Sequence, residues 1–259
     1  MIDRFRELHA SGCFVIPNPW DAGSARLLEG VGFQALASTS SGYAWSTGRR
    51  DNQITVEDAL AHFSAISSAV RIPVNGDFEG GFAVEPEGVE ANFARAAQTG
   101  VAGLSIEDST GNADAPLYDF ALAVERVRAA RAGAPEVVLT GRCESFLVGR
   151  PDLDETIRRL IAYAEAGADC LYAPGLRKLD DIRAVVNAVA PKPVNVLVSA
   201  GFTDVAELAA LGVRRISVGG ALARAAWKGF LDAATEIAEQ GTFTALDRGI
   251  PFAEINSRF

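Results

Sequence analysis

Short apolar runs alternate with helix-like segments eight times along the chain. Runs of this kind, separated by stretches rich in Ala, Leu, Arg and Glu at helical spacing, are typical of buried strands that alternate with helices. Eight such units predict a closed (β/α)8 TIM barrel, and a doubly wound open sheet is the alternative. The predicted strands are residues 13–17, 34–38, 74–77, 103–106, 137–140, 170–173, 194–198 and 215–218.

Four of these strands follow almost directly on a glycine that suits the left-handed cap of the preceding helix. These glycines are Gly32, Gly100, Gly167 and Gly212. No linker or low-complexity tract interrupts the pattern, so residues 1–259 are predicted to form a single domain. A barrel carries its chemistry at the C-terminal ends of the strands, and polar residues just past the strands are therefore the candidate site.

Charge and cysteine content restrict the possible partners and compartment. The net charge of −9 argues against nucleic acid and against an anionic membrane surface, so an anionic substrate would need a local cationic site. The three cysteines, Cys13, Cys143 and Cys170, form no CxxC pair, which favours free thiols in a reducing cytoplasm. The N-terminus lacks the apolar run of a signal peptide, and we expect a cytoplasmic protein.

Four acidic residues fall where a barrel enzyme would hold a divalent metal. Asp77, Glu79 and Glu107 lie at or just past predicted strands, and Asp51 ends a polar loop. Two carboxylates about 5 Å apart repel by roughly 3 kcal/mol at an effective dielectric of 20. Mg²⁺ or Mn²⁺ would relieve that repulsion, since hard cations prefer oxygen ligands. Each acid singly also fits a helix cap or a surface ion pair.

Other polar residues at the same predicted edge fit an oxyanion or a carboxylate. The small residues Thr39, Ser40 and Ser41 follow the second strand, where backbone amides can point at an oxyanion. Arg142 follows the fifth strand, and its planar guanidinium matches a carboxylate. Asn195 lies near the seventh strand and is a further candidate for substrate binding.

These motifs together resemble the isocitrate lyase/phosphoenolpyruvate mutase superfamily, in order, from about residue 15 to about residue 222. The resemblance implies a (β/α)8 barrel that binds Mg²⁺ and an α-oxocarboxylate such as pyruvate, oxaloacetate or phosphonopyruvate. It also implies that a C–C or P–C bond is made or broken through an enolate. The matching segments are residues 18–26, 48–51, 77–79, 103–108 and 141–146.

The resemblance assigns roles to the same residues. By position, Asp77 looks like the direct metal ligand, and Asp51, Glu79 and Glu107 resemble the acids that hold the metal through water. The turn at residues 39–41 matches the amides that receive the substrate, and Arg142 matches the arginine that pairs with its carboxylate. Relatives in this superfamily exchange their last helix between subunits, which implies a dimer or tetramer.

The loop after Glu107 departs from the lyase branches. Those branches carry Cys, His and basic residues in this loop, whereas residues 108–118 contain no Cys, Lys or His. Isocitrate-type cleavage and phosphonate chemistry are therefore disfavoured. We predict oxaloacetate decarboxylation or a related C–C cleavage, with Arg142, Asp51 and Tyr118 as the catalytic candidates and Tyr118 ordering a water.

Three alternatives remain open at this point. A P–C bond hydrolase or mutase would use the same metal site, and a non-catalytic oxo-acid binder would keep the site without turnover. The glycine-rich residues 217–221 also resemble the phosphate-binding loop of many barrels, which would suggest an isomerase or aldolase that acts on a sugar phosphate. Close packing of the last helix explains those glycines as well. The sequence leaves the exact substrate open, because specificity is expected to depend on residues 108–118 and 172–178.

Overall fold

Eight parallel strands form one sheet in the computed structural model, which describes residues 1–259. The order around the sheet is β1-β8-β7-β6-β5-β4-β3-β2. The strands are β1 Phe14–Ile16, β2 Leu36–Ala37, β3 Val74–Asp77, β4 Gly103–Glu107, β5 Val138–Arg142, β6 Cys170–Tyr172, β7 Val194–Leu197 and β8 Arg215–Ser217. Each predicted strand overlaps the observed one.

The seam between β1 and β2 decides between a barrel and an open sheet. These two strands share no regular ladder, but the Ala37 amide donates to the Pro17 carbonyl at 3.1 Å and draws the edges together. The result is a nearly closed barrel. The prediction of a single-domain (β/α)8 fold is confirmed, and the open-sheet alternative is wrong.

Helices surround this barrel and follow the predicted start and stop signals. Gly32, Gly100, Gly167 and Gly212 all adopt left-handed backbone angles, with φ between 88° and 113°. The helices are α1 Ile2–Ala10, α2 Ala22–Val31, α3 Ser40–Ser46, α4 Val56–Ala69, α5 Pro86–Ala97, α6 Phe120–Gly133, α7 Leu153–Glu165, α8 Leu179–Val189, α9 Val205–Ala210, α10 Ala221–Gln240 and α11 Phe252–Asn256, with a 3-10 turn at Thr244–Arg248. None of them is long and apolar enough to cross a membrane.

The main apolar core lies between the strands and the outer helices, whereas the barrel interior is largely polar. Side chains alternate along a strand, so neighbouring residues face opposite sides. Gly76 of β3 faces outward, because a Cβ there would lie 2.8 Å from the ring of Phe63 on α4. Its neighbours Asn75 and Asp77 therefore point into the barrel. This alternation places polar side chains around the barrel axis and leaves the apolar ones to hold the helices.

The C-terminal segment exposes a large apolar surface. Phe252 is 82% exposed, and Phe230, Phe243 and Phe259 are each 60% exposed or more. Exposed apolar patches of this kind usually mark an interface. We expect light scattering to give at least twice the 27.3 kDa chain mass. Exchange of α10 between subunits stays a prediction.

Charge placed on this surface tests its role. A Phe230→Asp/Phe252→Asp double variant should shift the mass toward that of one chain. The control is Ile161→Asp, at a residue that is 37% exposed on α7, the helix that follows β5, and it should keep the wild-type mass. A wild-type protein that is monomeric at micromolar concentration would refute the prediction.

Candidate active site

The end of the barrel at which β3, β4 and β5 terminate brings three of the predicted residues together. Asp77, Glu107 and Arg142 are the last residues of these strands. The register pairs Glu107 with Arg142, and Asp77 with Ser105 two residues before Glu107. Asp77 and Arg142 face the interior, since Gly76 and Gly141, one residue earlier, face outward against Phe63 and Tyr163. Glu107 follows Ile106 of the apolar core and contacts Arg142.

Arg142 forms the centre of the site and contacts three carboxylates. Its Nη1 lies 2.6 Å from Asp77 Oδ1, its Nη2 lies 3.0 Å from Glu107 Oε2, and its Nε lies 2.9 Å from Glu144 Oε1. A guanidinium carries five N–H donors, and these contacts use three. Arg142 also lines the central cavity. It therefore retains donors for a ligand while it neutralises the buried acids.

The acids at this edge influence each other electrostatically. Burial, followed by repulsion from Asp77 and Asp51, raises the pKa of Glu79 to about 8. Burial and repulsion from Asp77 also raise the pKa of Asp51. The pKa of Glu107 is raised well above its usual range, again by burial, although Arg142 opposes the shift. Burial is thus the main cause of these raised pKa values, and the like charges around each carboxyl add to it.

The residues present fit a divalent cation held largely through water. The Glu79 Oε1 atom is buried without any hydrogen-bond partner, and Glu79 has a left-handed backbone with φ of 46°. No three acidic, His or Cys side chains converge into a ready-made cage. Mg²⁺ suits this arrangement, because it keeps several waters and takes one or two direct carboxylates. Asp77 as the direct ligand, with Asp51, Glu79 and Glu107 holding the metal through water, stays a prediction.

The turn after β2 forms as predicted, but one of its amides is already used. Thr39 caps α3, and its Oγ1 accepts from the Gly42 amide at 3.3 Å. The Ser40 amide donates to Asp77 Oδ2 at 3.0 Å. In this structure the Ser40 amide thus orients Asp77, and the predicted role of residues 39–41 in substrate binding stays a prediction. Thr39, Ser40 and Ser41 all line the central cavity.

Two separate cavities are lined by Arg142 and the acids around it. The first, about 200 Å³, includes Asp51, Asp77, Arg142 and Asn195 in its lining. The second, about 380 Å³, has Glu79, Glu107 and Tyr118 in its lining. The structure thus brings Tyr118 close to two of the predicted acids but not into the cavity of Asp77. The water-ordering role of its hydroxyl stays a prediction.

Asn195 lies deep in the first cavity and is held by neighbours. Its Oδ1 accepts from Arg215 Nε at 2.9 Å, and its Nδ2 donates to Ser217 Oγ at 2.9 Å. Arg215 also donates to Thr140 Oγ1 at 3.0 Å. This network satisfies Asn195 internally, and its predicted contact with substrate remains untested.

The glycine-rich residues after β8 serve packing more than anion binding. The amides of Val218 and Gly219 donate to the Asn18 side chain at 2.9 and 2.8 Å. A Cβ on Gly220 would lie 3.0 Å from both Ser41 Oγ and the Trp45 ring. Two amides of the suggested phosphate-binding loop are therefore bonded to Asn18, and the structure favours close packing of the last helix as the reason for these glycines.

Sequence reasoning missed several residues that support the site. Glu144, which is 4% exposed, holds Arg142 Nε, and its own amide donates to Asp108 at 2.8 Å. Asp108 also accepts from Tyr163 at 2.6 Å and pairs with Arg159 at 3.2 Å. Alternation along β5 would have placed Glu144 on the side of Arg142. Nothing local in the sequence pairs Asp108 with residues 51 and 55 positions away.

Comparison with known protein families places this barrel in one of them. The family profile "Phosphoenolpyruvate phosphomutase" matches residues 5–238. The chain belongs to the phosphoenolpyruvate mutase/isocitrate lyase superfamily. The predicted resemblance is confirmed, and the barrel carries the matched segments at its C-terminal edge.

Superfamily relatives share the whole fold. A lyase/mutase candidate from Burkholderia cenocepacia J2315 is 50% identical, with a TM-score of 0.95, over 99% of this chain and 94% of that one. An oxaloacetate decarboxylase of Pseudomonas aeruginosa (strain LESB58) is 26% identical over 95% of this chain and 90% of its own. Phosphonopyruvate hydrolase, solved with oxalate and Mg²⁺, is 25% identical, with a TM-score of 0.88, over 99% and 94% of the two chains.

Proposed function

We propose that this superfamily member is a Mg²⁺- or Mn²⁺-dependent enzyme that cleaves a C–C bond of a small α-oxocarboxylate, with oxaloacetate decarboxylation as its leading activity. The proposal rests on one arrangement: Arg142 and Asp77, 2.6 Å apart, line a small polar cavity, and the nearby Glu79, whose charge repels that of Asp77, has its Oε1 atom buried without a partner. That combination offers donors for a carboxylate and oxygen ligands for a cation.

Each residue has a defined task in this reaction. Arg142 donates its remaining N–H groups to the substrate carboxylate, while Glu144 and Glu107 fix the guanidinium plane. Asp77 is held from both sides, by Arg142 and by the Ser40 amide. A bound Mg²⁺ would supply Lewis-acid stabilisation of the developing enolate.

The composition of the loop at residues 108–118 favours decarboxylation over cleavage of a larger hydroxy acid. Its side chains include no Cys, Lys or His to serve as a general acid. Loss of CO₂ leaves an enolate that water can protonate, whereas cleavage of a bulky hydroxy acid needs a dedicated acid. The relationship to an oxaloacetate decarboxylase supports the same choice.

We expect kcat/KM for oxaloacetate to exceed that for isocitrate and 2-methylisocitrate by at least about tenfold, which is a barrier difference of roughly 1.4 kcal/mol. The assay follows pyruvate from oxaloacetate, glyoxylate from isocitrate and pyruvate from 2-methylisocitrate at saturating Mg²⁺. A matched sample without protein corrects for decarboxylation by the metal alone.

The relationship to phosphonopyruvate hydrolase supports P–C bond hydrolysis as a second candidate. The assay therefore includes phosphonopyruvate, with release of phosphate as the readout. Faster phosphate release than CO₂ loss would favour this candidate and reject the first. Oxalate binding without turnover of any of the four substrates would favour a non-catalytic oxo-acid binder.

A further inference from the structure

The segment that follows Asp77 has an unusual backbone conformation. Glu79 and Phe82 have φ of 46° and 55°, and Gly81 between them has φ of 73°. Side chains with a Cβ rarely adopt this region, and such residues persist only where the surroundings hold them. The position of the Glu79 carboxyl therefore depends on whatever fixes the backbone of residues 79–84.

Arg126 of α6 supplies three of those contacts, beside Asn92, which donates to the Gly81 carbonyl at 2.9 Å, and the Glu107 amide, which donates to the Glu79 carbonyl at 3.0 Å. It is 1% exposed, and its Nη1 donates to the carbonyls of Ala83 and Val84 at 2.5 and 2.6 Å. Its Nη2 donates to the Gly80 carbonyl. A Cβ on Gly80 would lie 3.1 Å from that nitrogen, so the guanidinium also packs closely against the segment. One side chain thus binds three carbonyls of the strained turn.

Tyr118 joins the loop at residues 108–118 to the same guanidinium. Its ring centroid lies 4.0 Å from Arg126 Cζ, within the range of a cation–π contact. The loop is closed by a bridge between Ser109 and Leu117, and the Tyr118 amide donates to the Asp108 carbonyl at 3.0 Å. Both the turn and the loop line the second cavity.

We propose that Arg126 is a positioning residue that fixes the Glu79 turn, and that the ring face of Tyr118 couples the loop at residues 108–118 to this turn. Arg126 and the Tyr118 ring touch neither Asp77 nor the central cavity, so they act through Glu79. The part of this inference that concerns metal affinity rests on the proposed function; the part that concerns the turn does not.

Hydrogen exchange of the full-length, metal-free protein tests the turn directly. Arg126→Lys keeps the charge but loses the planar fork, and amides 80–84 should exchange at least about tenfold faster. Arg126→Met removes all donors, and the Lys variant keeps the test available if the Met variant does not fold. Arg128→Met is the matched control: Arg128 lies two residues along α6, is exposed, and pairs only with Glu125. It should exchange like the wild type.

Two substitutions at Tyr118 separate its ring from its hydroxyl. Tyr118→Phe keeps the ring over Arg126 and should leave exchange of amides 80–84 at the wild-type rate. Tyr118→Leu removes the ring and should speed exchange by about threefold. If the Phe variant exchanges as fast as the Leu variant, the hydroxyl carries the contact and the proposed role of the ring is wrong.

Calorimetry with Mn²⁺ then tests whether loss of the Arg126 contacts weakens metal binding by the acids around Glu79. Arg126→Lys should bind Mn²⁺ about tenfold more weakly than Arg128→Met, as expected for a residue that orients a ligand from behind. Wild-type exchange and wild-type Mn²⁺ affinity in Arg126→Lys would overturn the inference. A wild-type protein that binds no Mn²⁺ would reject the metal in the proposed function, and hydrogen exchange alone would then decide the role of Arg126.

Discussion

Replacing Arg142 by methionine should lower the free energy of unfolding by about 3–5 kcal/mol, because three buried carboxylates lose their counter-charge. Asp77, Glu107 and Glu144 all pair with this guanidinium, and their side chains are at most 18% exposed. Urea titration measures the change. The loss should shrink as the pH falls, because burial raises the pKa of Glu107 and Glu144 and both can then bind protons.

Arg95→Met is the matched control for this prediction. Arg95 contacts Glu57 at 2.6 Å, but its side chain is 45% exposed and that of Glu57 is 70% exposed. A surface pair of this kind contributes about 0–1 kcal/mol, so the variant should unfold almost as the wild type does. Equal effects of the two substitutions would show that the Arg142 cluster stabilises nothing beyond a surface pair.

Loss of Arg142 should also weaken oxalate binding by about a hundredfold, or roughly 2.7 kcal/mol. Arg142→Lys separates charge from geometry, since an ammonium cannot face three carboxylates and a ligand in one plane. We expect the Lys variant to recover stability better than oxalate affinity. Unchanged oxalate affinity in both folded variants would remove Arg142 from the substrate site.

Asp77→Asn should lower Mg²⁺ or Mn²⁺ affinity by about a hundredfold and abolish metal-dependent turnover. The amide is similar in size but carries no charge, and Arg142 keeps Glu107 and Glu144 as partners. The barrel should therefore stay folded while the metal is lost. Calorimetry of metal binding and thermal unfolding of the same samples separate the two effects.

Asp114→Asn makes the same chemical change in an exposed position of the loop at residues 108–118. It should leave metal affinity at the wild-type value. If Asp77→Asn binds metal as tightly as Asp114→Asn, then Asp77 is not the direct ligand, and Glu79 or Glu107 would have to take that role.

The strands and helix ends were predictable because their signals are local. A glycine such as Gly167 needs only its own backbone angle to end a helix, and φ of 113° is observed there. Capping residues such as Thr55, Asp152 and Asp204 accept hydrogen bonds from amides three residues away. The position of Asp77, Glu107 and Arg142 at or just past predicted strands is local as well, and it was enough to place them at the C-terminal end of the barrel.

Partners across the barrel were not predictable in this way. The sequence suggested free backbone amides at residues 39–41, but the Ser40 amide bonds to Asp77, 37 positions away. It suggested a hydroxyl role for Tyr118, but the fold places that ring over Arg126. The supporting roles of Glu144 and Asp108 became visible only in the structure. Their bonds to Arg142, Arg159 and Tyr163 depend on how the strands and α7 pack together.

By itself the sequence determined the eight-unit barrel, the edge at which polar residues gather and the superfamily, since each follows from periodicity, caps and short motifs. Only the tertiary structure decided which charges meet. Arg142 faces three acids, the Oε1 atom of Glu79 is buried without a partner, and Arg126 holds the turn that carries Glu79. The physical reason is that pairing of buried charges depends on distances of a few ångströms between residues far apart in the chain. Away from water these charges are weakly screened, so small changes in distance change the interaction energy strongly.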